Sequence, residues 1–290
     1  MPVIGITFGD AAGIGPEIVA AALASGKLDA RFEYRVIGEN AEARPGEPTP
    51  ATARAAHAAL EESARLLRAG EIAAVVTGPI HKARMQAEGF AFPGQTEFFA
   101  ARAGVENFAM CLTGGALTVA LVTAHVPLRE IAGLLSAGEI IRVGKLLAAF
   151  LTTRLRREPR IAVAGLNPHA GESGALGREE IEIIGPAIIL LTNHQSPISP
   201  AVFTGPFSPD TVFNRAIAGE FDGVLCMYHD QGLIPLKLHA FDSGVNVTLG
   251  LPFPRTSPDH GTAFEIAGKK IARPDSMIAA IHLATELSAR

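Results

Sequence analysis

The stretch VIGITFGDAAGIGPE, residues 3–17, reads as a short β-branched strand, a glycine-rich turn and the opening of a helix. Glycine permits a tight turn, and Pro16 suits a first helical turn because its missing N–H would have no partner there. The obvious reading is a dinucleotide fingerprint, and it fails. A G-x-G-x-x-G pattern beginning at Gly13 needs a small residue at position 18, which is Ile18, and a P-loop beginning at Gly9 lacks the Gly-Lys-Ser/Thr ending. On spacing alone the segment is a strand-to-helix turn and little more.

Outward from it the alternation repeats. Short β-branched apolar runs bounded by Gly, Pro or polar clusters predict buried parallel strands at 3–8, 34–37, 73–76, 109–113, 118–122, 160–164, 223–227 and 245–248. Between them the pattern predicts helices at 16–24, 51–69, 128–135, 137–153, 178–191 and 275–288. Such alternation implies a doubly wound α/β architecture. Residues 39–52, rich in Ala, Glu and Pro, read as a solvated loop. The basic run TRLRREPR, 153–160, reads as a solvated helix C-terminus that complements the helix dipole.

Composition bounds the function. The 290 residues allow one large domain or two modest ones, and 48% hydrophobic residues with a mean hydropathy of +0.26 imply a broad core. No apolar run reaches the roughly eighteen residues a membrane span needs. The start MPVIGITFGD lacks a basic segment followed by an apolar one, so no secretory signal is expected. A net charge of −4 offers no electrostatic footprint for nucleic acid or an anionic membrane. Cys111 and Cys226 make neither a disulfide framework nor a thiolate zinc site, which suits a reducing, cytoplasmic setting.

Three of the nine histidines follow predicted strands: His125 in TVALVTAHVPL, His169 in RIAVAGLNPHAGE and His229 in DGVLCMYHDQG. Ligands of open parallel sheets bind outside the carboxyl ends of strands. Separations of 44 and 60 residues leave room for a crossover between each, so all three can converge on one sheet edge. Imidazole is the commonest metal ligand, and three of them leave positions open for substrate. One such histidine alone is more often a hydrogen-bonded loop residue; the repeated placement argues against that for all three. His57, His194 and His282 fall on helices or their ends and need no special role. Lys237, Asn246 and Arg255 follow His229 by eight, seventeen and twenty-six residues. A metal beside Lys and Arg suits an anionic substrate, although surface cations are the commoner fate of both types.

The segments GDAAGIGPE and DHGTAFEIAGK (259–269) resemble the signatures of the metal-dependent decarboxylating dehydrogenases, the isocitrate/isopropylmalate dehydrogenase fold. More closely, TGPIHK, PGQTEF, TAHVPLRE, GLNPHAGE, GPFSPDT, YHDQGLIPLK and GVNVTLGLPFPRTSPDHGTA resemble, in order, the PdxA family of 4-hydroxythreonine-4-phosphate dehydrogenases. The likeness runs from about Thr7 to Lys269. It implies two α/β/α subdomains around a central cleft, not a Rossmann fold: 1–93 plus 241–290 on the cofactor side, and 94–240 with the metal ligands and dimer interface. It implies metal-dependent, NAD- or NADP-linked oxidation of 4-phosphohydroxy-L-threonine in vitamin B6 biosynthesis by a cytoplasmic homodimer whose ligands come from both subunits.

Residue by residue, His125, His169 and His229 match the family's ligands for a divalent metal (Zn, Mg or Co). Thr96, Lys237, Asn246 and Arg255 match its substrate contacts. His260, Gly261, Thr262 and Ala263 lie in the segment similar to the cofactor loop. Lys237 and Asp230 are the candidates for taking the hydroxyl proton. Gln95 stands where the family usually has His, and cannot become cationic; that leaves open a sugar-acid phosphate or an aromatic cis-dihydrodiol acid as substrate. The chain is also shorter than the family over 38–50. A histidine–metal hydrolase is the alternative of another class, and the HGTAFEIAGK segment argues against it because hydrolysis would not need it.

Overall fold

Each apolar run the patterning singled out becomes a strand in the computed structural model, which describes residues 1–38, 43–193 and 200–289. Residues 39–42 of the expected 39–52 loop, and His194, lie outside the described residues. The elements are β1 (Val3–Thr7), α1 (Gly15–Ala24), β2 (Glu33–Ile37), α2 (Pro50–Arg68), β3 (Ala74–Thr77), α3 (Lys82–Ala87), α4 (Gln95–Ala103), β4 (Ala109–Gly114), β5 (Leu117–Leu121) and α5 (Ile131–Leu134). They continue with α6 (Ala137–Leu155), β6 (Arg160–Ala164), α7 (Gly185–Asn193), β7 (Val202–Phe207), α8 (Val212–Ile217), β8 (Gly223–Cys226), α9 (His229–Ala240), β9 (Val245–Leu249), β10 (Arg255–Pro258) and α10 (Asp275–Ser288). None of the described helices is long and apolar enough to cross a membrane.

The chain divides into two compact units, Met1–Glu106 with Asp242–Arg290, and Asn107–Phe241. In the first, strands run in the order β2-β1-β3-β10-β9, parallel except for β9, which pairs antiparallel with β10. Helix α2 starts on a capping box, Thr49 with Thr52, and Pro50 follows in its first turn. Its buried Ala53, Ala56, Leu60, Ala64 and Leu67 recur at helical spacing and pack with Val75, Met85, Phe90, Phe98 and Phe99. Phe98 and Phe99 belong to α4, so residues 94–106, which the sequence reading gave to the second unit, cluster with the first.

In the second unit the order is β4-β5-β8-β6-β7. Strands β5, β8, β6 and β7 are parallel, while β4 and β5 form an antiparallel hairpin across a two-residue turn. Leu112, Val119, Leu121 and Val224 from the strands close over Leu233 and Leu236 of α9 and Val212 and Phe213 of α8. The expectation of parallel strands thus fails at the β9/β10 and β4/β5 pairs. Strands β7 and β10 were not legible because VFTGPF carries a Gly-Pro pair and RTSP is polar. Helix α9 hides behind Gly232 and Pro235, both poor helix interiors. The helix expected at 128–135 divides into a 3₁₀ turn, Leu128–Glu130, and α5; that expected at 178–191 opens with a π turn, Glu180–Ile184. The basic run at 153–160 is partly ion-paired: Asp222 takes the Arg157 guanidinium at 2.5 Å and the Arg160 amide at 2.7 Å.

Candidate active site

Within the second unit, β5, β8 and β6 are parallel neighbours, so their carboxyl ends share one edge. His125 follows β5, His229 opens α9 after β8, and His169 follows β6. The His125 and His229 rings lie 5.4 Å apart, centroid to centroid. Two imidazoles on one tetrahedral ion, each nitrogen about 2 Å from it, would have centroids roughly 5 Å apart, so the pair fits a shared divalent cation. Asp230 Oδ1 lies 2.7 Å from His229 Nδ1. A carboxylate there holds the proton on Nδ1 and leaves Nε2 as the ligating lone pair. A cavity of about 320 Å³ opens over these residues, lined also by Thr123, Val126, Leu128, Ile131 and Tyr228. Burial first, and then the charge of Asp230, pushes the Tyr228 phenol up, so it stays a neutral donor.

His169 stands apart from that pair. It is exposed and lies near Asp210, whose carboxyl is held low chiefly by the Ser208 hydroxyl and to a lesser degree by this imidazole. Among the described residues of one chain, no three His, Cys, Asp or Glu side chains gather to hold a metal. The backbone is unusual at two of the histidines: His125 has φ +56° and His169 has φ +51°. Left-handed φ on a residue with a Cβ costs about 1 kcal/mol or more and recurs at functional sites.

Two buried polar residues that pattern reading passed over tie these strand ends together. Gln231 Nε2 donates to the Gly165 carbonyl at 2.7 Å, and its Oε1 accepts from the Met227 amide at 2.6 Å, joining the ends of β6 and β8. The Thr123 hydroxyl donates to the Met227 carbonyl at 2.7 Å, joining β5 to β8. The available signal was a Gln two residues after a candidate ligand. Lys237 lies eight residues beyond His229 along α9, roughly 12 Å of helix axis.

The first unit holds Arg255, Thr96, Asn246 and Gln95, the residues expected to meet an anion. Arg255 opens β10 and is 3% exposed. Its Nη2 donates to Thr77 Oγ1 at 2.7 Å, and its Nη1 to Thr248 Oγ1 at 3.4 Å and Thr96 Oγ1 at 3.5 Å; its buried Nε has no partner. Thr77 and Thr248 lie on β3 and β9, which flank β10, and Thr96 lies in the first turn of α4. Burial lowers the guanidinium pKa to about 10, with Glu97 opposing from beyond ion-pair reach, so the group is cationic at neutral pH. Gln95 Nε2 donates to the Gly78 carbonyl at 3.1 Å, and its Oε1 is buried without a donor. The reverse amide orientation would set two oxygens against each other. Asn246, two residues before Thr248 on β9, also buries an unpartnered Oδ1.

The glycine-rich first turn has a use that spacing could not disclose: it receives the late loop. The Ile14 amide donates to the Thr262 carbonyl at 2.9 Å, and a Cβ on Gly13 would stand 2.6 Å from that oxygen. Glu17 accepts from the amides of Gly268 at 2.9 Å and Lys270 at 3.2 Å. Thr262 is thereby buried, Ala263 takes φ +44°, His260 Nδ1 lies 3.2 Å from the Gly261 carbonyl, and the His81 ring stacks on Phe264. Residues 260–263 thus form a braced turn in which Gly261 leaves open space.

Comparison with known proteins places the chain in a family and a fold. A family model described as pyridoxal phosphate biosynthetic protein PdxA matches residues 17–284. A 4-hydroxythreonine-4-phosphate dehydrogenase of Desulfosudis oleivorans is 43% identical over 330 aligned residues, covering 99% of this chain and 96% of its own. That alignment exceeds the 290 residues here, so the relative has segments without a counterpart. The crystal structure of a 4-hydroxythreonine-4-phosphate dehydrogenase from Klebsiella pneumoniae matches with a TM-score of 0.86 at 35% identity, covering 99% of this chain and 100% of that one. An isocitrate dehydrogenase from Methylococcus capsulatus, 18% identical with a TM-score of 0.52 over 100% of this chain and 88% of its own, shares the fold alone. The architecture is therefore isocitrate dehydrogenase-like, as the two signature segments implied. With likeness running through nearly all of its sequence and structure, the chain belongs to the PdxA family of dehydrogenases.

Proposed function

We propose that the protein oxidises the secondary hydroxyl of 4-phosphohydroxy-L-threonine with NAD or NADP. The product, 2-amino-3-oxo-4-phosphooxybutanoate, loses carbon dioxide to give 3-amino-2-oxopropyl phosphate on the way to pyridoxine 5'-phosphate. Arg255 is the observation that carries this reading: a buried guanidinium whose hydrogen-bond partners are three threonine hydroxyls. A buried cation without a carboxylate at hand is costly, and an anion arriving there restores the balance. Phosphate suits the place because the guanidinium fork grips two of its oxygens while hydroxyls rotate to donate to a third.

The remaining residues divide the work. Thr96 and Asn246 orient the bound chain, Asp230 keeps His229 in its ligating tautomer, and Lys237 takes the hydroxyl proton. A divalent cation (zinc, magnesium or cobalt) held by His125 and His229 would supply Lewis acidity to the substrate oxygens, and nicotinamide bound along residues 260–263 would accept the hydride. The third imidazole, His169, would come from a second copy of the chain. That assignment is supported by the spacing of the His125–His229 pair and by the exposed apolar Ile234, Leu238 and Phe241 on and just beyond α9, which suit an isologous dimer. Such an enzyme, with both cysteines free and buried, would work in the cytoplasm.

The test is reduction of NAD+ and NADP+, followed by absorbance, with phosphorylated and unphosphorylated hydroxy acids in parallel. Turnover confined to the phosphorylated hydroxythreonine supports the reading. Turnover of a cis-dihydrodiol acid or a sugar-acid phosphate in its place replaces the substrate.

A further inference from the structure

We infer that Glu180 is a positioning residue for His169, acting through the left-handed turn that carries this imidazole; this rests on reading His169 as a metal ligand. Five consecutive residues take left-handed backbone angles: His169 (φ 51°, ψ 30°), Ala170 (52°, 44°), Gly171 (78°, −3°), Glu172 (44°, 57°) and Ser173 (57°, 27°). Four of them carry a Cβ, and L-residues avoid this region singly, let alone in series. Such a turn persists only where its surroundings over-determine it.

Glu180 supplies that determination. It is 4% exposed, and its Oε1 accepts from the amides of Leu166 at 2.7 Å and Asn167 at 2.8 Å. Its Oε2 accepts from Asn167 Nδ2 at 3.0 Å. The same Asn167 nitrogen donates to Glu179 Oε2 at 2.7 Å, so two successive carboxylates clamp the residue that enters the turn. Contact with the turn is close: a Cβ on Gly171 would fall 2.5 Å from Glu180 Oε2. Among the described residues no cation pairs with Glu180; the donors on its carboxylate all belong to the segment that leads into His169. A buried carboxylate satisfied wholly by one loop is an anchor for that loop. It leaves from a π turn, a rare element that recurs at functional sites.

The experiment uses the full chain and the variants Glu180→Ala, Glu180→Gln, His169→Ala and Glu180→Ala/His169→Ala, with Val143→Ala in the core of α6 as a stability control. Amide exchange read by mass spectrometry reports the turn, and cobalt(II) affinity, by competition with a chromophoric chelator, reports the imidazole. Glu180→Ala should speed exchange across 166–174 at least tenfold and weaken cobalt binding on the order of tenfold, as loss of outer-shell support does. Glu180→Gln, which keeps an oxygen for the two backbone amides, should fall between. In the His169→Ala background the further loss should be under about twofold, because positioning residues act through the group they position.

Unchanged exchange across 166–174 overturns the inference. So does an undiminished affinity loss in the His169→Ala background, or an equal loss in Val143→Ala. If the unmodified protein binds no cobalt, the metal reading of the histidines fails, and the exchange data alone decide whether Glu180 holds the turn.

Discussion

Arg255 concentrates the residue-scale argument, since its charge is expensive where it sits and useful only to an anion. Arg255→Lys should raise KM for the phosphorylated substrate by about tenfold or more, with a smaller effect on kcat, because an ammonium cannot grip two oxygens at once. Arg255→Met should abolish that binding while leaving the melting temperature unchanged or higher, since removing a poorly compensated buried charge relieves a penalty. Melting curves and KM for each variant test both claims. The pH dependence has a definite sign. The folded-state value, about 10, lies below that of an exposed arginine, so substrate affinity should be level from about pH 6 to 9 and fall as pH rises through 10. The burial penalty on stability fades over that same rise, because the folded protein then sheds its proton before the unfolded chain does. At Gln95 one N–H of the amide is given to the Gly78 carbonyl, and the group, being neutral, offers an anion no charged donor. Gln95→His should lower KM for the phosphorylated substrate a few-fold below about pH 6.5, where a cationic ring could hold Gly78 with one N–H and present the other. A pH-independent KM in this variant would count against that.

Among the elements, the bond between α1 and the late loop matters most. Glu17 holds two amides of the loop through its single carboxylate, and Ile14 holds the Thr262 carbonyl. Glu17→Ala should therefore raise KM for NAD or NADP several-fold, leave KM for the hydroxy acid unchanged, and cost about 1–3 kcal/mol of stability from the two charge-assisted bonds. A variant that impairs both substrates equally would show that the loop serves more than the cofactor. This brace was invisible in the sequence: Glu17 and Gly268 lie 251 positions apart, and nothing local to either names the other. The strands that carry the histidines were legible because burial on both faces makes apolar runs, whereas α9 was not, because Pro235 and Gly232 interrupt its pattern.

At the scale of the molecule, the His-bearing unit exposes large apolar side chains on and just beyond α9. Leu238 is 85% exposed and Phe241 75%. If a second copy covers them, Leu238→Glu with Phe241→Glu should convert a dimer into a folded monomer that has lost nearly all activity. Sedimentation velocity reads the first change and the NAD(P)H assay the second. A fully active 30 kDa monomer of the unaltered chain would remove the second copy from the site.

Alternating apolar runs determined an α/β architecture from sequence alone, because periodicity is a local property, and the resemblance of the serial motifs to a known family implied the dehydrogenase. Placement along the chain picked out His125, His169, His229 and Arg255, and the resemblance added Thr96. Only the tertiary structure decided that His125 and His229 pair while His169 stands apart, that three threonines from β3, β9 and α4 ring Arg255, and that the first turn receives the late loop in place of a phosphate. The reason is physical. Those contacts join segments far apart in the chain, and their geometry follows from which strands become neighbours, not from the composition of any one of them.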